Sequence, residues 1–437
     1  MLRRVHLRNF KLHEFTSIEA APITVFIGPN NSGKSSIFHA MLLLRQAASR
    51  NDQYLCQPPG GIQPPPSEHY LYSPNVIVDV GAFDEVVRNG RKDILIRLCG
   101  GTKAQGPTHG LNEASVDVTV GVKDNRLVRN SGSVTCLDSQ ANWELADGHP
   151  TQPNPVTLRL GGVRYKIRIA DTFGLTQPAG FEATPGPPHE TALMYSEFSQ
   201  WLGSIPSKLL GSVHPIYALR GFEEWGYPIT DRPPANLELM TLHDRALALP
   251  NALASDRQLK GKLSDRLEEL LHISIDFEVI HPGKRLKIWA KHTGNKRGET
   301  LFANEGTGAN QIPFIFAPVL LTPPNETILL SEPEAHLHPK GQCELTRILL
   351  TVARKENIQF FIETHSEHVL HVILNAVARG EWAKDDVALH YFENVEGTAQ
   401  VKRLGINEHG QVDGGLPGFF DQSLAELTEY LGALGKR

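Results

Sequence analysis

Gly28-Pro29-Asn30-Asn31-Ser32-Gly33-Lys34-Ser35 fits the pattern G-x-x-x-x-G-K-[ST] at every fixed position. The run before it, Ile23 to Ile27, is apolar and β-prone, and Ile37 to Leu44 after it has helical spacing. A strand, a glycine-rich turn and a helix in that order form a phosphate cradle. Glycine lets the backbone close around phosphate oxygens, and the first N–H groups of the helix face an anion. In that context Asn30, Asn31, Ser32, Gly33, Lys34, Ser35 and Ser36 are the candidate nucleotide contacts. Lys34 is expected to reach the outer phosphates and the Ser35 hydroxyl to ligate Mg2+.

Composition sets the frame around this motif. The chain has 437 residues, enough for two or three domains. Apolar residues make up 40% and charged residues 21%, an ordinary balance for a globular protein. A net charge of −5 gives no global attraction to nucleic acid or anionic membranes. Cys56, Cys99, Cys136 and Cys343 are scattered without a C-x-x-C pair, which argues against a zinc site or a disulfide framework. No apolar run approaches the ~18 residues needed to span a bilayer, and the N-terminus begins directly with a strand-like pattern. A cytoplasmic location is the expectation.

Residues 1–45 read as strand, strand, phosphate loop, helix. Prolines at 58–59 and 64–66 break regular structure after them. Short β-runs follow at Asn75–Val80, Ile94–Leu98, Val116–Val122, Val156–Leu160 and Val163–Ile169, suggesting antiparallel meanders. Glu190–Leu202 and Ser255–Leu271 have helical spacing, the charged run from Lys260 to Glu269 reading as a solvated face, and Ile273–Ile280 and Arg285–Ala290 look like strands. Beyond residue 300 the chain alternates: helix Gln311–Leu321, strand Thr327–Leu330, helix Lys340–Lys355, strand Gln359–Ile362, helix Glu367–Ala378, strands Val387–Glu393 and Thr398–Leu404, and helix Gln422–Leu434. Such alternation predicts an α/β fold around a largely parallel sheet.

Two of these strands end in chemistry. Thr327–Leu330 runs into Ser331-Glu332-Pro333-Glu334-Ala335-His336-Leu337-His338-Pro339, and Phe360-Phe361-Ile362 runs into Glu363-Thr364-His365-Ser366. An open α/β sheet places ligand chemistry at such strand ends. Upstream, Glu305-Gly306-Thr307-Gly308-Ala309-Asn310-Gln311 is a second glycine-rich turn opening a helix. His336, His338, His365, His368 and His371 read as surface or hydrogen-bonded histidines rather than metal ligands. Arg220, ending Ile216–Arg220, is either a phosphate or partner contact or an ordinary surface arginine. Asn9-Phe10-Lys11 sits where it could flank a base, with Phe10 a core residue on the plainer reading.

The ordered set of phosphate loop, Gly-x-Gly-x-x-Gln turn, acidic strand end and Glu-Thr-His-Ser resembles the ABC-type ATPase heads of the RecF, SMC and OLD (overcoming lysogenization defect) group. Leu7-Arg8-Asn9-Phe10-Lys11 is similar to the opening strand of those heads, and Leu416-Pro417-Gly418-Phe419-Phe420-Asp421 to a tail of stand-alone bacterial members. The resemblance covers roughly residues 1–100 and 300–437. It implies a P-loop head with an antiparallel β subdomain, split by a mixed α+β insertion: 1–100 as the N-terminal lobe, 101–300 as β-rich subdomain and insertion, and 301–437 as the C-terminal lobe.

The resemblance further implies ATP and Mg2+ as cofactors and a head-to-tail homodimer or higher oligomer. Gly306, Gly308, Asn310 and Gln311 would be the turn that touches the partner's nucleotide, although the group more often has serine at the position of Asn310. Glu332 would orient the attacking water, and His365 would be the switch histidine. Where the group usually has an acid, this chain has Ser331. Three readings follow: Ser331 serves the metal through water; Glu332 takes the metal and Glu334 is the base; or hydrolysis is slow and ATP acts as a clamp. Stand-alone heads of the group suggest a switch controlling a separate effector, a nuclease or toxin, in anti-phage defence, with a RecF-like DNA-repair ATPase or an ATP-dependent scaffold as alternatives.

Overall fold

The computed structural model describes residues 1–49, 77–78, 80, 86–91, 93–102, 112–123, 126–136, 139–144, 154–160, 163–169, 181–184, 209–231, 245–281, 283–293 and 298–416. The segments Glu190–Leu202 and Gln422–Leu434, read as helices above, lie outside the described residues, as does half of Asn75–Val80.

Three sheets organise the described chain. The central one has six strands in the order β11 (Val213–Ile216), β16 (Thr327–Ser331), β17 (Gln359–Glu363), β3 (Ile23–Ile27), β18 (Val387–Val395) and β19 (Thr398–Leu404). All neighbours are parallel except the β18–β19 hairpin. Strands β3 and β17 are buried along their whole length. This is why they read as unbroken apolar runs rather than alternating ones.

Alternate side chains of these strands serve two different cores. Phe26, Leu329, Phe361 and Phe392 point into one, shared with helix α1 (Lys34–Ser49). Ile23, Val25, Ile27, Ile328, Leu330, Phe360 and Ile362 point into the other. That second core also takes helices α2 (Arg245–Ser255), α3 (Arg257–Leu271), α5 (Pro313–Leu321), α6 (Pro339–Glu356) and α7 (Glu367–Ala378). The sheet is thus covered on both faces, as a parallel sheet requires.

A nine-stranded antiparallel sheet holds β1 (Leu2–Phe10), β2 (His13–Glu19), β4 (Asp93–Thr102), β5 (Asn112–Lys123), β6 (Arg126–Cys136), β7 (Ser139–Glu144), β8 (Asn154–Leu160), β9 (Val163–Ile169) and β10 (Phe181–Thr184). A boundary drawn at residue 100 therefore cuts through this sheet, because β4 of the first lobe is laddered to β5 over its full length. Strands β6, β7 and β10 were not read from the sequence. A small third sheet is built from β12 (Tyr227–Pro228), β14 (Arg285–His292), β13 (Ile273–Ile280) and β15 (Glu299–Leu301).

Helix ends follow local chemistry. The carboxylate of Asp256 caps α3 by accepting from the N–H groups of Gln258 and Leu259 at 2.8 and 3.0 Å. Leu259, Leu263, Leu267 and Leu270 form its buried stripe, leaving the charges of 260–269 on the outer face. The single helix expected over Gln311–Leu321 is two: α4 (Thr307–Gln311), then α5 starting at Pro313. Proline lacks the N–H that would continue α4 but is well suited to begin a helix.

Candidate functional site

The phosphate loop connects β3 to α1, and its backbone is bent as an anion cradle requires. Asn31 has φ +58° and Gly33 φ +98°, so successive N–H groups turn toward one concavity. Gly28 leaves β3 with φ +140°, and a Cβ there would lie 2.2 Å from the Phe392 carbonyl oxygen, so only glycine fits. The loop is held from below by His13. Its Nε2 lies 3.0 Å from the Gly33 carbonyl and its Nδ1 2.8 Å from the Thr16 hydroxyl. Burial pushes the His13 pKa down to about 4, so the ring is neutral and Nε2 donates to the carbonyl.

Lys34 is 3% exposed and its ammonium lies in the mouth of the loop, donating to the carbonyls of Gly28 (2.9 Å) and Pro29 (2.7 Å). Burial lowers its pKa, and the carboxylates of Glu363 and Glu332 work against that. The loop opens on a cleft of about 860 Å3 lined by residues 30–36, Lys11, Arg88, Glu332, Glu363 and His365. Phe10 is core, whereas Lys11 reaches this cleft.

The two acidic strand ends meet here because β16, β17 and β3 are neighbours. Ser331 is in register with Glu363, and Glu363 with Phe26. Glu332, just past β16, has φ +43°, a left-handed conformation that non-glycine residues rarely adopt. Its N–H donates to the Glu363 carbonyl at 2.8 Å, and its own carbonyl accepts from Arg220 Nη2 at 2.8 Å. Arg220 also donates to the Ser331 carbonyl at 3.0 Å. Arg220 is thus neither a phosphate contact nor a plain surface residue. It is the clamp that holds the backbone of Glu332 in a strained geometry of the kind that clusters at active sites.

His365 Nε2 stands 4.0 Å from Glu332 Oε1. Burial lowers its pKa, and the nearby Lys34 charge adds to that. Glu334, the alternative base, is turned away from the cleft. It is 7% exposed, and its Oε1 accepts from the Thr364 hydroxyl (2.7 Å) and the His365 N–H (2.9 Å). Its Oε2 is buried without a partner among the described residues. Burial raises its pKa, with the hydrogen bonds to Thr364 and His365 opposing. Its position is that of a brace fixing the turn that presents His365. The next residue, Ser366, caps α7 by accepting from the N–H groups of His368 and Val369.

The second glycine-rich turn packs on this same loop. A Cβ on Gly308 would lie 2.5 Å from the His336 carbonyl oxygen. Gln311 is buried and donates to the Ala335 carbonyl. Asn310 faces inward: Oδ1 accepts from the Phe222 N–H at 2.7 Å and Nδ2 donates to the Phe222 carbonyl at 2.9 Å. The expectation that Asn310 and Gln311 face outward to a second nucleotide does not match these contacts, since both side chains are committed to their own chain. Gly306 and Thr307 are the exposed members of the turn.

The carboxylate sequence reasoning missed is Glu363. It is 4% exposed, lines the cleft, and accepts from the Ser35 hydroxyl at 2.6 Å. Burial raises its pKa, while the Ser35 hydrogen bond and the Lys34 charge oppose. Ser331 does not line the cleft. Among the described residues no three His, Cys, Asp or Glu side chains form a cage that could hold a metal alone. A magnesium completed by phosphate oxygens and water needs only one or two protein oxygens, and Ser35 with Glu363 fits that donor set.

With this geometry in place, residues 1–101 and 257–370 match the family model described as AAA ATPase domain. Residues 383–429 match a second family, described only as a protein of unknown function. No curated protein matches the chain. Solved structures with similar coordinates include the SMC head domain from Thermotoga maritima, at TM-score 0.42 and 12% identity over 93% of this chain and 99% of that one. An SMC head bound to the C-winged helix domain of ScpA gives TM-score 0.46 at 14% identity, over 93% and 98%. The SMC head with an extended coiled coil bound to the C-terminal domain of ScpA, from Pyrococcus furiosus, gives 0.46 at 12%, over 98% and 99%. Among the described residues no helix is long and apolar enough to cross a membrane.

Proposed function

We propose that the protein binds and hydrolyses ATP as an ABC-type head, and that hydrolysis resets an ATP-dependent association of two heads. The observation that carries this reading is the convergence in one cleft of the Lys34 phosphate loop, Glu332 and His365. The loop N–H groups and Lys34 bind the phosphates. Glu332, 42% exposed at its side chain and fixed through its backbone, accepts hydrogen bonds from a water in line with the terminal phosphorus and takes its proton. His365, held by Glu334, orients Glu332 and donates toward the terminal phosphate. Mg2+, when bound, neutralises charge on the phosphate oxygens.

Association of two heads would bring Gly306 and Thr307 of one onto the nucleotide of the other. The inward contacts of Asn310 and Gln311 support a narrower version of this contact, made through the backbone N–H groups of the turn. The target we favour is a separate effector chain, as the resemblance to stand-alone anti-phage ATPases suggests. The test is ATP turnover of wild type and Lys34→Ala, with and without duplex DNA. Turnover in wild type, lost in Lys34→Ala and indifferent to DNA, supports the reading. Turnover that appears only with DNA would replace the effector by DNA as the target, and turnover unaffected by Lys34→Ala would sink the site assignment.

A further inference from the structure

We infer that Glu363, on the strand between β16 and β3, is the protein carboxylate on the metal side of the phosphate loop, standing in for the acid this chain lacks at Ser331. This rests on the ATPase reading above and assigns one residue within it.

The argument is one of strand order and reach. Strands in a sheet lie roughly 4.8 Å apart. β17 is the immediate neighbour of β3, which carries the phosphate loop, and β16 is one strand further away. A group at Ser331 must therefore span about two strand spacings to reach the loop. A serine hydroxyl, only two bonds from its Cα, is too short for that. Glu363 occupies the register position beside Ser331 on the nearer strand, with a longer side chain. It closes the gap: its Oε1 takes the Ser35 hydroxyl at 2.6 Å.

That hydrogen bond has two consequences. It turns the Ser35 proton toward Glu363, so the remaining lone pairs of the hydroxyl face the cleft and can ligate a hard cation. It also ties to the loop a carboxylate that itself lines the cleft. Magnesium sites of this kind use one or two carboxylates plus substrate phosphates rather than a full protein cage. Glu332 is thereby released from metal duty, and it is the more exposed of the two. One carboxylate serves the metal and the other the water, so Ser331 does not imply a clamp without turnover.

The experiment is the affinity of a fluorescent ATPγS analogue in excess Mg2+ and in EDTA, for wild type, Glu363→Gln, Glu363→Asp and Ser331→Ala. Loss of a group that holds or orients a metal ligand costs about 10- to 100-fold in metal affinity. Glu363→Gln is expected to lose at least about tenfold of the Mg2+-dependent gain while its affinity in EDTA stays at the wild-type value, which also reports that the fold is intact. Glu363→Asp is expected to retain part of the gain, and Ser331→Ala all of it. The electron paramagnetic resonance spectrum of Mn2+ bound with the analogue should change in Glu363→Gln and not in Ser331→Ala. A full Mg2+ gain in Glu363→Gln, or its loss in Ser331→Ala, overturns the assignment while leaving the ATPase reading standing. No nucleotide binding by wild type under either condition overturns both.

Discussion

Acid should weaken this protein through two buried histidines, His13 under the phosphate loop and His390 behind β3. Both are almost fully buried, at 0% and 1% exposed. Burial pushes each from the ordinary 6.5 to about 4, with the backbone carbonyls of Gly33 and Glu19 as their neutral partners. In the unfolded chain each takes a proton as pH falls through 6.5, and in the folded chain each refuses it until about pH 4. The stability each contributes is complete above 6.5 and is lost between 6.5 and 4. A shift of one pKa unit corresponds to ~1.36 kcal/mol, so each histidine should cost about 2 kcal/mol between pH 7.5 and pH 5. The assay is urea unfolding at those two pH values for wild type, His13→Gln and His390→Gln. Whatever its absolute stability, each variant should lose about 2 kcal/mol less than wild type over that interval. Equal losses in all three proteins would refute the buried-neutral assignment.

Glu334 and Arg220 offer tests of role rather than of stability. If Glu334 braces His365 through Oε1, Glu334→Gln preserves that acceptor and should keep turnover within a few-fold, whereas removing a general base costs roughly 10²- to 10⁴-fold; steady-state turnover separates the two. Glu334 has its pKa raised by burial, so its contribution to stability is present at low pH and lost as pH rises through the raised value. Glu334→Gln should flatten that decline in an unfolding series from acid to neutral pH. Arg220→Ala frees the carbonyls of Ser331 and Glu332 and should lower turnover about tenfold or more while nucleotide affinity stays unchanged, a split visible in kcat against Kd.

The strand–loop–helix around Lys34 was legible because its information is local: glycine spacing, an apolar run and a helical repeat lie within some twenty residues. The same holds for β16–α6–β17–α7–β18, whose boundaries the periodicity placed closely. What escaped depends on neighbours far away in sequence. Glu363 looked like part of a switch motif because nothing in its own segment says that β17 is inserted between β16 and β3. Asn310 looked like a ligand for an external phosphate because its real partner, the backbone of Phe222, is 88 residues away. Arg220 looked ordinary for the same reason, its contacts lying 111 and 112 residues on. Strands β6 and β7 carry Asn130-Ser131-Gly132-Ser133 and Gln140-Ala141-Asn142, with no apolar alternation to announce them, and were found only through their pairing.

The central claim is that Glu332 activates water on an ATP held by Lys34 and that this releases an ATP-dependent assembly. Mass photometry of Glu332→Gln with ATP and Mg2+, beside its turnover, tests it most directly. The account predicts negligible turnover and an accumulated dimer or larger assembly that wild type forms only transiently and Lys34→Ala does not form. Turnover at the wild-type rate, or a mass in Glu332→Gln that ATP leaves unchanged, would contradict it.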